Sequence, residues 1–76
     1  MKKIDFEIEQ DYGTIGTKKN RRGQDCDVKL CAVAWHGRKA TYDIRMFTAD
    51  GDTDKGISLS LEMLKSLRDI LDSMDL

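Results

Sequence analysis

At 76 residues the chain has room for one domain and one small core, and little volume for an enclosed substrate pocket. Two cysteines are too few for a disulfide scaffold, and no apolar run is long enough to span a bilayer, so the small-secreted-scaffold and membrane-spanning classes are excluded. A net charge of −1 gives no bulk basic signature, but the charge is segregated: Lys18 to Arg45 carries eight Lys or Arg against Asp25, Asp27 and Asp43, a net of +5, and the rest of the chain nets −6.

Ile4, Phe6 and Ile8 alternate with Asp5, Glu7 and Glu9, the period of a half-buried strand. Gly13 and Gly16 interrupt the next segment, and Lys18 to Gly23 reads as a basic loop or hairpin tip. A second strand is expected from about Asp27 to His36, with Val28, Leu30, Ala32 and Ala34 on one face and Lys29, Cys31, Val33 and Trp35 on the other. Cys26 and Cys31, five apart on such a strand, point to opposite faces and do not bridge; with no signal-peptide pattern, a reducing cytoplasm is the expected location. His36-Gly37-Arg38-Lys39 is a turn. A third strand, about Thr41 to Thr48, sets Tyr42, Ile44 and Met46 toward a core and Asp43, Arg45 and Phe47 toward solvent. Asp50 to Asp52 is a loop and Gly56 to Leu59 a short fourth strand. Ser60 is the N-cap of a C-terminal helix, with Glu62 in its first turn. Leu64, Leu67, Leu71 and Met74 form the helix's apolar stripe, which is wider than one small sheet needs and is therefore assigned to a dimer interface. The reading is one α+β domain over 1–76, with the sheet over about 4–59 and the helix over about 61–75.

Most candidate motifs fail on their chemistry. Asp50-x-Asp52-x-Asp54 begins like a calcium loop, but Lys55 stands where the loop needs Gly and Leu61 where it needs Glu. Cys26, Cys31 and His36 alternate faces along one strand and lack a fourth ligand, so no zinc or other metal site is expected. Gly13-Thr14-Ile15-Gly16 matches a G-x-x-G clamp by letters only and reads better as a bent strand. The single histidine has no neighbouring nucleophile or orienting acid, so the expectation is no enzyme, no cofactor and no small-molecule substrate. The aromatic-basic set is the informative one. Trp35, Arg45 and Phe47 fall on the wet faces of neighbouring strands. Lys29 shares the face of Trp35, Arg38 and Lys39 sit in the adjoining turn, and Lys55 enters the fourth strand. Exposed aromatics offer stacking platforms to bases and cations meet phosphates; the competing reading is that Trp35 is core or dimer interface. Arg21 and Arg22 are possible extra phosphate contacts in the basic loop.

Tyr42-Asp43-Ile44-Arg45, the acidic loop Asp50 to Asp54, and Lys55-Gly56-Ile57-Ser58-Leu59-Ser60 leading into a Leu-rich helix resemble the transcriptional coactivator positive cofactor four family, in its bacterial YdbC-like single-stranded-DNA-binding branch. The similarity is strong from Trp35 to Leu71; the first thirty residues share only the strand pattern and a basic segment. It implies a homodimeric ββββα fold whose curved four-stranded antiparallel sheet grips single-stranded DNA, or RNA, with little sequence specificity, in transcription, replication or repair. The family's ligand contacts fall on Trp35, Arg38 or Lys39, Arg45 and Lys55. Phe47 stands where bacterial members tend to carry Trp, and Thr48 where eukaryotic ones carry an aromatic. The alternative function is a protein-interaction or oligomerisation module that keeps the fold without nucleic-acid binding.

Overall fold

The computed structural model describes residues 5–76; Ile4 of the expected first strand lies outside them. Four strands, β1 (Phe6–Lys19), β2 (Asp25–Trp35), β3 (Thr41–Thr48) and β4 (Thr53–Leu59), precede one helix, α1 (Leu61–Ser73). The strands form a single antiparallel sheet in chain order, as short connections favour. The ββββα order is the one expected from the alternation and the N-cap.

β1 is longer than its sequence suggested. Gly13 and Gly16 bend the strand without ending it: the pairing with β2 slips between Ile8 and Gln10, Asp11 and Gly13, and Thr14 and Gly16. Each slip inserts an unpaired residue, which bends the strand and increases its twist. Gly13 has φ 145°, a backbone conformation side chains resist. β2 and β3 meet through a tight turn in which the Arg38 amide donates to Trp35 O at 2.9 Å. His36 and Gly37 both have positive φ there, 53° and 73°, the type I′ combination whose twist matches a hairpin.

Ala32 and Ala34 are buried on the face expected to form the core, but that face is not the main core. Tyr42, Ile44 and Met46 are only half-buried. The buried cluster is instead Cys31, Val33 and Phe47, with Phe6 and Trp35 packed against it. Phe47, expected on the wet face, is 5% exposed, and Asp43 beside it is fully buried. The helix lies on the Ile44 face, so the buried side chains of the Trp35 face are shielded by one another across the curved sheet, as on its concave side. The helix covers neither face broadly. It packs mainly on β3 and β4, beside the buried Leu59, and none of its own residues is buried. Ser60 caps it as expected, Oγ accepting from the Met63 amide at 3.1 Å. Between the helix and the Ile44 face lies an open apolar groove of about 540 Å³, lined by Ile44, Ile57, Leu59, Met63, Leu67 and Ile70.

Candidate nucleic-acid interface

The β2–β3 register sets Lys29 opposite Arg45 and Cys31 opposite Asp43, and the β3–β4 register sets Ser58 opposite Asp43. All of these side chains therefore share the concave face. Asp43 is the hub. Its Oδ2 accepts from Arg45 Nε at 2.9 Å and Ser58 Oγ at 3.0 Å, and its Oδ1 from Thr41 Oγ1 at 3.0 Å. A buried carboxylate is tolerated only when paired and hydrogen-bonded in this way.

Held by Asp43, the Arg45 guanidinium lies over the Trp35 ring, its Cζ 4.8 Å from the centroid. Its Nη1 donates to Asp54 O at 3.2 Å. Phe6 packs on Trp35 with ring centroids 5.6 Å apart. Trp35 is thus half-buried, and its Nε1 is buried with no hydrogen-bond partner among the described residues. Gly56, having no Cβ, lets β4 approach Arg45 closely: a Cβ there would fall 2.6 Å from Arg45 Cγ and 2.7 Å from its Cα. A groove of about 600 Å³ opens beside this pair, lined by Trp35, His36, Arg45, Thr53, Asp54, Lys55 and Ser58.

The sequence-predicted site residues divide into three groups. Trp35, Arg45 and Lys55 are brought together on the groove. Arg38 and Lys39 are exposed at the β2–β3 turn but do not line this groove, and Arg38 lines a separate one with Asp5, Glu7, Glu9 and Ala34; like Lys55 they form no ion pair with a carboxylate among the described residues. Lys29 shares the concave face but is paired with Asp11 at 3.1 Å. That hydrogen bond and the Asp11 charge raise its pKa above the ordinary lysine value. Phe47 is withdrawn into the core and offers no ring to a ligand. Arg21 and Arg22 project from the β1–β2 tip. On the helix, Leu64 and Leu67 turn partly toward the protomer's own sheet, while Leu71 and Met74 are exposed.

Asp43, expected toward solvent, is instead buried because three hydrogen bonds satisfy its carboxylate, and neither it nor Thr41 and Ser58 is among the expected site residues. The readable signal was Asp43 two residues before Arg45, an acid and a base on one strand face that also carries Phe47. The acidic loop after β3 is a polar turn: Thr48 N donates to Asp52 O and Gly51 N to Thr48 O, both at 2.9 Å. Among the described residues no group of three or more His, Cys, Asp or Glu is disposed to hold a metal, and no helix is long and apolar enough to cross a membrane. Both cysteines are free and buried.

No family model matches the chain. An uncharacterized protein of Treponema pallidum (strain Nichols) is 33% identical over 72 residues, covering 93% of this chain and 80% of that protein. The chain belongs to the same family as that protein. The shared stretch is long enough to include the sheet and the helix, and so both the concave groove and the apolar groove beside the helix.

Proposed function

We propose that this protein binds single-stranded nucleic acid, single-stranded DNA foremost, as a homodimer of the positive-cofactor-four type and with little sequence specificity. The observation that carries the reading is the Arg45–Trp35 pair on an open groove that Lys55 lines, with the exposed cations Arg38 and Lys39 in the β2–β3 turn that follows Trp35. A guanidinium plane braced by an indole offers a base a flat, cationic partner, and these cations meet the backbone. The arrangement suits an unstacked strand, because a base in a duplex presents no free face.

The dimer rests on the other side of the molecule. The groove between Ile44 and the helix, together with exposed Leu71 and Met74, leaves an apolar surface that one 76-residue protomer does not cover. A second copy covering it would bury both protomers' stripes by symmetry.

Trp35 is the sole tryptophan, so its emission reports on the groove alone. Titration with oligo-dT should change that emission, saturably and less tightly as salt rises, with a log–log slope of about −0.7 for each phosphate contact. Oligo-U in parallel distinguishes DNA from RNA preference. Emission and mobility unmoved by either oligonucleotide at low salt would overturn the proposal, and would leave the apolar surface as support for an oligomerisation module.

A further inference from the structure

The β1–β2 tip is built around one side chain. Asn20 Oδ1 accepts from the amides of Arg22 (3.0 Å) and Gln24 (2.9 Å), and Asn20 Nδ2 donates to Gln24 Oε1 at 2.8 Å. The loop is therefore folded, not a loose arm. The same Nδ2 also donates to Asp54 Oδ2 at 2.8 Å, 34 residues away. Asp54 is itself a junction. Its Oδ1 accepts from the Lys55 amide at 2.8 Å, its backbone oxygen accepts from Arg45 Nη1, and its side chain lines the groove.

We infer that Asn20 and Asp54 form a latch that holds the Arg21-Arg22 tip against the end of the Trp35 groove, so that the phosphate track of each protomer continues from Lys55 onto these two arginines. The inference rests on the nucleic-acid reading and adds to it a pair of positioning residues that need not touch the ligand. Three observations support it. Arg21 and Arg22 are exposed and form no ion pair with a described residue. The Asn20 bond, then the Lys55 amide and the Lys55 and Arg22 charges, hold the Asp54 carboxyl below the ordinary aspartate value. Cys26, which lies just past the loop and donates weakly to Gln24 O, is only 1% exposed, as a closed tip requires.

Two substitutions separate the hydrogen bond from the charge. Asp54→Asn and Asp54→Ala both remove the carboxylate, but only Asp54→Asn keeps an oxygen able to accept from Asn20. In oligo-dT titrations Asp54→Ala should bind about fivefold more weakly than Asp54→Asn, with a shallower salt slope. In an Arg21→Ala/Arg22→Ala background the two should bind alike, because the latch acts through those arginines. Alkylation of Cys26, located by peptide mass, should be faster in Asp54→Ala than in Asp54→Asn. Equal affinities with the arginines present, a difference that survives their removal, or equal alkylation rates would each overturn the latch while leaving the binding reading intact. Failure of the unaltered protein to bind oligo-dT would instead overturn that reading and the latch with it.

Discussion

Asp43→Asn tests whether the concave site is part of the protein's own stability. The substitution is nearly isosteric, so no cavity forms, and the new amide can still accept from Thr41. What is lost is the charge opposite Arg45, whose side chain is only 15% exposed. An amide nitrogen would face Arg45 Nε, leaving a largely buried cation facing a donor. Breaking a buried pair in this way costs about 3–5 kcal/mol. Arg45 keeps its bond to Asp54 O and some water contact, which places the expectation near the lower end, about 3 kcal/mol. A 76-residue domain has a total stability of about 4–11 kcal/mol, so the loss is a large share of it. It corresponds to a fall in melting temperature of about 12–24 °C at this size. Urea denaturation at fixed protein concentration gives the free energy directly. The double variant Asp43→Asn/Arg45→Met should recover part of the loss, because the stranded cation is gone. An Asp43→Asn protein within about 0.5 kcal/mol of the parent, the ordinary range for surface changes, would refute the reasoning.

Other perturbations address separate parts of the structure. Gly56→Ala should cost about 1–3 kcal/mol, because its Cβ would meet the Arg45 backbone as well as its side chain, and it should shift Trp35 emission as the guanidinium moves; a stable variant with native emission would contradict the register. Leu71→Asp, at a side chain 46% exposed in the protomer, should weaken self-association in sedimentation with little change in monomer secondary structure, and unchanged association would remove this stripe from the interface. Burial, ahead of the nearby carboxylates, raises both cysteine pKa values. The folded thiols then hold their protons more tightly than the unfolded chain does. Their contribution is fully present below the ordinary cysteine pKa of about 8.5 and is lost as pH rises through the raised folded values. Melting temperature should therefore decline from about pH 8 upward, and a flat profile to pH 10 would contradict the burial.

Period-two alternation and the Ser60 cap made the element order legible, because those signals are local. The third strand and the helix start fell where they were expected. Which sheet face forms the core was not legible. Alternation says that Phe47 and Met46 lie on opposite sides, but not which side closes, because that depends on how the whole sheet curves and where the helix packs. Gly13 and Gly16 carried the hint, as a bent strand, without its consequence. On the site, Trp35 and Lys55 could be grouped from strand order, whereas the pairing of Lys29 with Asp11 and of Asn20 with Asp54 joins residues 18 and 34 positions apart. Such long-range pairs leave no periodic trace in a single sequence.

In the proposed function the two faces of the sheet divide the work. On the concave side the interior charges, Asp43 with Arg45 and Asp11 with Lys29, are mutually compensated, while Lys55 in the groove and Arg38 and Lys39 in the turn have no carboxylate partner among the described residues. Lys55 lines the same groove as the Arg45–Trp35 plane, and Arg38 and Lys39 are exposed in the adjoining turn. These cations should then govern the salt dependence of binding, since an exposed charge releases counterions when it meets a phosphate. Arg45 should govern the depth of binding instead, because its charge is already shared with Asp43. The convex side carries the unpaired apolar surface beside the helix. Substitutions there, Leu71→Asp among them, should change association without altering the intrinsic groove, while substitutions in the Asp43 network should disturb folding and groove together. An Asp43 variant with normal stability but lost binding, or a Leu71 variant with normal association but lost binding, would break that division.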